Sequence, residues 1–154
     1  MLPLALKLTD RDVLVIGAGR IGTGKARLLV EAGARVTMVA SEVLAEIPPG
    51  LATFEQRDYR DGDVRGFTLV VSATGDPLVN DRVVDEARRE NVWVNVVDDP
   101  ERSDFFFTAV HRAGDVVVSV STEGASPALA QEVRSMIAAQ LPNNLAEVAR
   151  QLRR

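Results

Sequence analysis

The sequence contains no cysteine and only one histidine, His111. The lack of cysteine excludes a disulfide framework, a thiolate metal site and a cysteine nucleophile. A single histidine cannot build a histidine-rich metal site, so any metal ion would depend on carboxylates. We therefore predict no metal site of the protein's own, and we expect His111 to be a surface residue or a residue of a hairpin.

Long apolar runs and clusters of basic residues are also missing. No apolar stretch approaches the roughly 18 residues of a membrane-spanning helix. The apolar stretch in the opening segment MLPLALKLTDRD is too short for a signal peptide. Eighteen Lys and Arg stand against 22 Asp and Glu, which gives a net charge of −4. We therefore expect neither a membrane nor a nucleic acid as partner, and we predict a cytoplasmic protein.

The apolar segments that are present alternate with helical patterns. A valine-rich strand at about residues 12–17 leads into a helix, and Ile21, Leu28, Leu29 and Ala32 are predicted to share that helix's buried face. The elements predicted next are strands at Val36–Ala40, Leu51–Gln56, Phe67–Ala73 and Val92–Val97, and a helix at Pro77–Arg89 before the last strand. Apolar strands joined by helices predict a doubly wound α/β fold with a parallel sheet.

A different pattern begins after residue 104. The segment FFFTAVHRAGDVVVSVSTEG contains two strand-like runs separated by RAGD, which predicts a hairpin. A helix follows over SPALAQEVRSMIAAQL, with Ser126 as N-cap and Pro127 in the first turn, and a short helix is predicted in PNNLAEVARQLRR. We expect the three phenylalanines at 105–107 to be core or interface residues. The sequence thus predicts two regions, 1–112 and 113–154.

The loop Gly17-Ala18-Gly19-Arg20-Ile21-Gly22 is the most informative motif. In such a loop the first glycine permits a tight turn, the second lets the backbone approach a pyrophosphate, and the third allows close packing of helix on strand. The loop directly follows a buried strand and opens an amphipathic helix, whose N-terminus would direct unpaired N–H groups at phosphates. This context predicts a Rossmann-like dinucleotide site, although a glycine turn that only lets a helix pack would have the same pattern.

Two further segments bear on the choice of nucleotide. Glu42 lies twenty residues after Gly22 and could contact a ribose, or it could be a solvated loop carboxylate. No arginine closely follows the second strand to bind a 2′-phosphate, which favours NAD over NADP. The loop at Thr74 and Gly75 would form the far wall of the cofactor cleft, and the alternative is a plain turn followed by a capping Asp76.

Four segments together resemble one known family. They are LVIGAGRIGTGKARLLVEAGARVTMVA, VVSATGDPLVNDRV, VNVVDDPERSDFFFTAV and VVVSVSTEGASPALAQEVR, in this order and spacing. They are similar to the precorrin-2 dehydrogenase family, the module that also forms the front half of siroheme synthase. The resemblance extends over about residues 2–150, and the family usually continues with further helices.

The resemblance implies an NAD-dependent oxidation of precorrin-2 to sirohydrochlorin and, in some members, insertion of ferrous iron. The family's catalytic aspartate matches Asp98, which would take or steer a proton as hydride leaves the tetrapyrrole. Without the resemblance, Asp98 would be interpreted as a strand-end residue that caps the following turn. Asp99 matches no family role and is interpreted as a loop carboxylate.

The resemblance also assigns cofactor contacts to two pairs of residues, Arg20 with Ile21 and Ser41 with Glu42. These could equally be a solvated arginine, a core isoleucine and a plain turn. Ser126 matches a serine that the family keeps near the tetrapyrrole, although its role as a helix cap is a sufficient explanation. Lys25 also matches and would contact phosphate or extend to water.

The family's second region forms a homodimer, and the hairpin and helix after residue 104 have too little core of their own to stand alone. We therefore expect a dimerisation region and a homodimer. Two other functions fit parts of the pattern. One is a nucleotide-sensing regulatory module of the potassium-transport type, which usually has an acid directly at the end of the second strand, where this sequence has Ala40 and Ser41. The other is a chelatase without dehydrogenase activity, against which the intact glycine loop argues.

Overall fold

The chain forms two units in the computed structural model, which describes residues 1–152. One unit, the sheet unit, comprises Leu2–Phe105, and the other, the hairpin unit, comprises Phe106 onward together with Met1. The division lies seven residues before the predicted one at 112/113. It falls there because the two strands of the hairpin pair only with each other, so that both belong to one unit.

The sheet unit alternates strands and helices, as predicted. Its elements in chain order are β1 (Asp12–Ala18), α1 (Arg20–Glu31), β2 (Arg35–Val43), β3 (Thr53–Gln56), β4 (Leu69–Ser72), α2 (Pro77–Glu90) and β5 (Trp93–Val96). The five strands form one parallel sheet in the order β3-β2-β1-β4-β5. The predicted doubly wound α/β fold is confirmed.

The strand order places a topological switch between β1 and β4. From β1 the chain moves outward to β2 and β3, and then returns to β4 on the other side of β1. Right-handed crossovers in these two directions put α1 and α2 on opposite faces of the sheet. The crevice beyond the carboxyl ends of β1 and β4 is where open sheets of this kind bind ligands.

The sheet is buried on both faces, which explains why its strands are rich in valine. Val13, Val15, Val36, Val70 and Val94 are fully buried. All four residues of β4 are buried as well, as is typical of a central parallel strand.

Helix α1 packs on the sheet through a face that differs from the predicted one. Its buried residues are Gly22, Thr23, Ala26 and Leu29, whereas Ile21 is 43% exposed and Leu28 is 51% exposed. Small residues face the sheet because they let the helix backbone lie close to it. The prediction that Ile21 and Leu28 contribute to the buried face was wrong.

The hairpin unit contains β6 (Ala109–Ala113), β7 (Val116–Val120), α3 (Pro127–Gln140) and α4 (Leu145–Gln151). β6 and β7 pair antiparallel around the predicted turn, in which Gly114 has φ +61°. His111 lies within β6, and the hairpin and both helices are confirmed as predicted. Arg153 and Arg154, which end the predicted last helix, lie outside the described residues. Within residues 1–152, no helix is both long and apolar enough to cross a membrane.

Candidate active site

A cleft of about 800 Å³ opens at the topological switch of the sheet unit. Its walls come from the carboxyl ends of β1, β2 and β4, from the first turns of α1 and α2, and from the loop after β3. Of the predicted cofactor residues, Gly22 is a buried residue of α1 and does not line it, whereas the others do, namely Gly17, Gly19, Arg20, Ile21, Ser41, Glu42, Thr74 and Gly75. The predicted contact residues, which come from three separate segments of the sequence, thus meet at one cavity.

The three glycines of the loop have three different surroundings. Gly17 has φ +101°, and a Cβ at that position would lie 2.5 Å from the carbonyl oxygen of Ala73. A Cβ at Gly22 would collide with the carbonyl oxygen of Gly17, so this position requires close packing of α1. A Cβ at Gly19 would meet nothing within 4 Å, because Gly19 borders the open cleft. The geometry matches the turn, packing and phosphate-approach functions that the loop predicts.

The N-terminus of α1 is directed at this open space. Its N-cap is Gly19, which has no side chain to accept a hydrogen bond from the first turn, and that turn contains no acidic residue. The Thr23 side chain bonds back to the carbonyl oxygen of Gly19 at 3.0 Å, which fixes the start of the helix. An anion in the cleft would therefore find helix N–H groups with no capping side chain in competition.

Ser41 and Glu42 lie on a bulge at the edge of the cleft. Between the pairs Ile16–Val39 and Ala18–Val43, β1 advances two residues and β2 advances four, so that β2 bulges outward over Ala40, Ser41 and Glu42. β2 thus continues three residues beyond its predicted end at Ala40. Glu42 is an exposed residue of the strand end, not a loop carboxylate.

The loop between β4 and α2 combines both of its predicted interpretations. Asp76 caps α2 by accepting from the Leu78 N–H at 2.9 Å, and the Thr74 hydroxyl accepts from the Asp76 N–H at 3.1 Å. The buried Asn80 accepts a bond from the Ser72 hydroxyl at 2.7 Å and donates to the Thr74 carbonyl at 3.3 Å. The turn chemistry is therefore present, and it holds Thr74 and Gly75 against the cleft.

Asp58, Tyr59 and Arg82 line the cleft but were missed by sequence reasoning. The Tyr59 hydroxyl donates to the buried carboxylate of Glu86 on α2, and the Gly62 N–H donates to the same carboxylate at 2.8 Å. Burial, together with the Glu86 carboxylate, raises the pKa of Tyr59. The Arg82 guanidinium lies 5.0 Å from the centre of the Tyr59 ring. One feature of the predicted fold could have indicated Asp58 and Tyr59. In a parallel sheet, the loop after β3 lies at the same edge as the glycine loop after β1.

Lys25 is half-buried on α1 and does not line the cleft. Burial lowers its pKa. Two roles were predicted for Lys25, a contact with phosphate and an extension to water. Because Lys25 lies outside the cleft lining, its position does not support the contact with phosphate.

The two adjacent aspartates after β5 have different surroundings. Asp98 is exposed, has φ +62° and does not line the cleft. The Asp99 carboxylate accepts from the Arg102 N–H at 3.2 Å and from Arg102 Nε at 2.5 Å, and this guanidinium lowers the pKa of Asp99. The turn-capping role considered for Asp98 thus belongs to Asp99.

Asp98 nevertheless lies at the same edge of the sheet as the cleft. β5 pairs with β4, and the Val97 N–H donates to the carbonyl oxygen of Ser72 at 2.9 Å, just before the loop that carries Thr74. The carboxyl ends of the two strands are therefore neighbours.

Ser126 belongs to the hairpin unit and caps α3. Its hydroxyl oxygen accepts from the Leu129 N–H at 3.2 Å, which confirms the predicted N-cap. The phenylalanines at 105–107 are partly buried. Among residues 1–152, no group of three or more His, Cys, Asp or Glu side chains is arranged to hold a metal ion.

The parallel sheet, its switch-point cleft and the glycine turn against α1 define a dinucleotide-binding domain of the Rossmann type. A family model described as "Putative NAD(P)-binding" matches residues 4–109. The chain belongs to this NAD(P)-binding family.

Curated relatives extend the similarity over almost the whole chain. The siroheme synthase of Methylococcus capsulatus is 40% identical over 153 residues, which are 97% of this chain and 32% of that protein. The siroheme synthase of Tolumonas auensis is 39% identical over 150 residues, which are 96% of this chain and 32% of that protein. The chain therefore spans about a third of the length of these relatives.

A solved structure described as SirC, precorrin-2 dehydrogenase, has the same fold. It superposes with a TM-score of 0.82 at 26% identity and covers 97% of this chain and 76% of its own. These matches confirm the resemblance that the four sequence segments predict.

Proposed function

We propose that this chain oxidises precorrin-2 to sirohydrochlorin with NAD as the hydride acceptor. The observation that carries the proposal is the arrangement at one edge of the sheet, where the glycine loop with an open Gly19 follows β1 and the exposed Asp98 follows β5, with β4 between the two strands. The names of the relatives, siroheme synthase and precorrin-2 dehydrogenase, support this substrate. The reaction removes one hydride and one proton from the macrocycle.

The residues of the cleft fit a dinucleotide. Gly19 leaves room for a diphosphate against the backbone, and the uncapped start of α1 supplies N–H donors and a favourable dipole. A volume of about 800 Å³ lies within the range of ordinary cofactor sites. When bound, NAD supplies a nicotinamide ring that accepts the hydride.

Glu42 supports NAD as the cofactor. Its carboxylate lies on the β2 bulge at the cleft edge, where it would accept hydrogen bonds from a ribose diol and repel a 2′-phosphate. Asp58 lines the same cleft and adds a second carboxylate. Arg82, a cation of the cleft wall, is paired with Asp61 at 3.0 Å.

Thr74 and Gly75 would bound the cleft on the side of β4 and direct the nicotinamide toward β5. Asp98 follows β5 and would face the reduced macrocycle, where its carboxylate takes the proton from the carbon or nitrogen that is oxidised. A positioned base of this kind contributes about 10²–10⁴-fold to the rate.

A homodimer completes the proposal. In the hairpin unit, the only buried hydrophobic residues among those described are Ala109 and Ala130, while Leu129 is 53% exposed and Met136 is 62% exposed. This unit has too little core for stability, and a second copy of the chain is the occupant we propose for its apolar surface. Ser126, which starts α3, would then lie near that interface as a candidate substrate contact.

Ferrous iron belongs to the proposal only as a substrate. The described residues form no metal cluster, so inserted iron would be bound by the nitrogens of the macrocycle. The cytoplasmic location stays a prediction.

The test is an anaerobic assay of the purified chain with precorrin-2 and NAD, which follows NADH by absorbance and sirohydrochlorin by its visible spectrum. Wild type should form both products in equal amounts, and Asp98→Asn should bind NAD normally yet oxidise about 10²–10⁴-fold more slowly. Ferrous iron is added afterwards to test for siroheme formation. NAD binding without oxidation would contradict the proposal and favour a nucleotide-sensing module.

The homodimer is tested by the molar mass in light scattering. Wild type should have twice the mass of one chain, and Leu129→Asp with Met136→Asp should have the mass of a single chain, because carboxylates are costly in an apolar interface. Leu78→Asp is the control, since Leu78 is also an exposed leucine, at 72%, but belongs to the sheet unit. A monomeric wild type would contradict this part of the proposal.

A further inference from the structure

Asp98 lies in a turn that needs support from its surroundings. Its φ of +62° is a left-handed conformation, which aspartate adopts more readily than most residues but which is still uncommon for a residue with a side chain. The turn is closed by the Asp99 N–H, which donates to the carbonyl oxygen of Val96 at 3.2 Å. Such a conformation persists only where neighbouring contacts over-determine it.

The segment after the turn attaches it to the free edge of β5. The Ser103 hydroxyl accepts from the Val96 N–H at 2.9 Å and donates to the Asp99 carbonyl at 2.8 Å. Asp104 adds two bonds to Val94, one through its backbone N–H at 2.7 Å and one through its carboxylate at 2.9 Å. These bonds fix the two ends of the turn to the strand.

Arg102 adds a link to a second element. Its Nε donates to the Asp99 carboxylate at 2.5 Å, and another guanidinium nitrogen donates to the carboxylate of Asp81 on α2. The first turn of α2 follows the loop that holds Thr74 and Gly75 against the cleft. One guanidinium therefore joins the Asp98 turn to the helix behind the cofactor loop.

The structure of this link indicates a role in position more than in stability. Asp81, Arg102 and Asp99 are all partly exposed, and ion pairs of this kind contribute little to the free energy of unfolding. A guanidinium nevertheless holds two carboxylates in a defined geometry. A shift of about 1 Å in a reacting group can cost about 100-fold in rate.

We propose that Arg102 is a positioning residue, which fixes the Asp98 carboxylate relative to the cofactor loop by bridging Asp99 and Asp81. The inference rests on the proposed function, because it concerns the distance between the proposed base and the nicotinamide. The two carboxylates that Arg102 bridges are Asp99, in the turn after β5, and Asp81, on α2.

The experiment compares Arg102→Gln with Arg65→Gln in the full chain. The control removes the partly exposed ion pair between Arg65 and Glu90 at the other end of α2. We expect Arg102→Gln to lower kcat about 10- to 100-fold with the Kd for NAD changed less than twofold, and Arg102→Lys to recover part of kcat because it keeps the charge. Arg65→Gln should leave both values unchanged.

A double-mutant cycle tests whether Arg102 acts through Asp81. Asp81→Asn combined with Arg102→Gln should be no slower than Arg102→Gln alone, because both changes break the same bridge. An unchanged kcat in Arg102→Gln would overturn the inference. So would an equal loss of kcat, NAD affinity and stability, which would indicate general disruption of the fold.

Failure of the proposed function has a separate signature. If wild type does not oxidise precorrin-2, or if Asp98→Asn is as active as wild type, the assignment of the base fails. In that case the effect of the Arg102 bridge on the Asp98 turn is tested without an activity assay, by the rate of amide hydrogen exchange over residues 97–105. Exchange about tenfold faster in Arg102→Gln than in Arg65→Gln supports the positioning role, and equal exchange overturns it.

Discussion

Gly17 lies directly against the carbonyl group of Ala73, so that the turn after β1 is packed against the end of β4. A Cβ at Gly17 would come within 2.5 Å of that carbonyl oxygen, and the φ of +101° is itself unsuited to a side chain. The two walls of the cleft are therefore built on a contact between backbones. This contact therefore sets the spacing between the predicted cofactor residues at Gly17–Ile21 and those at Thr74 and Gly75.

We predict that Gly17→Ala lowers the free energy of unfolding by about 1–3 kcal/mol, through strain and the collision with Ala73. The measurement is urea unfolding followed by circular dichroism. Gly24→Ala is the control, because Gly24 lies inside α1 and a Cβ there meets nothing within 4 Å. It should be neutral or stabilising by up to about 1 kcal/mol. Equal stability of both variants would contradict the packing argument.

Gly19→Ala should separate binding from stability. Gly19 has φ −81° and ψ 177°, which any residue can adopt, and its Cβ would project into open space. We expect the free energy of unfolding to change by less than about 1 kcal/mol. The Kd for NAD should rise at least about tenfold, equivalent to about 1.4 kcal/mol, because the methyl group occupies the path of the diphosphate. Isothermal titration calorimetry measures it, and an unaltered Kd would mean that the diphosphate lies elsewhere.

The glycine loop could be predicted from sequence because its chemistry is local. A residue that needs positive φ, such as Gly17, is recognisable wherever it stands in a strand–turn–helix context. The buried face of α1 was harder, because periodicity selects the largest apolar residues. Ile21 and Leu28 were therefore predicted to face the sheet, whereas close packing selects the small Gly22 and Ala26.

The part of the cleft formed by the loop after β3 depends on contacts that no local pattern contains. Tyr59 is held by Glu86, which lies 27 residues later on α2. The position of Glu42 depends in the same way on register, because the bulge in β2 arises from the pairing of Val43 with Ala18. The Tyr59–Glu86 contact and the bulge in β2 arise only when the sheet is assembled, so sequence patterns could not predict them.

Asp98→Asn should leave stability unchanged while it removes the proposed base. Asparagine tolerates the left-handed conformation about as well as aspartate, and no hydrogen bond or ion pair of Asp98 is present among the described contacts to be lost. We expect a free energy of unfolding within about 0.5 kcal/mol of wild type. Asp98→Ala, which keeps a Cβ but lacks the polar side chain that favours this conformation, should be less stable than Asp98→Asn. A marked loss of stability in Asp98→Asn would indicate a structural role.

The loop that carries Tyr59 should make part of the stability dependent on pH. Arg57 donates to the Asp63 carboxylate at 2.6 and 2.9 Å and also pairs with Glu55. Burial acts to raise the pKa of Asp63, but the bonds from Arg57 and from the Arg60 N–H outweigh it and lower that pKa. A carboxylate with a lowered pKa in the folded state stabilises the protein above its unfolded pKa, and the contribution is lost as the pH falls through the folded pKa.

Arg57→Gln should therefore be less stable than wild type by about 1–3 kcal/mol at pH 7, since it removes hydrogen bonds between charged groups that are mostly buried. The difference should begin to shrink as the pH falls below about 4, where Asp63 of the unfolded chain takes up a proton, and it should be lost as the pH falls through the lowered pKa of Asp63 in the folded protein. Urea unfolding at pH 7, 5, 4 and 3 measures it. Arg35→Gln, which breaks the exposed pair with Asp12, should cost much less stability at pH 7 than Arg57→Gln. A difference between wild type and Arg57→Gln that stayed constant down to pH 3 would show that Asp63 does not carry this part of the stability.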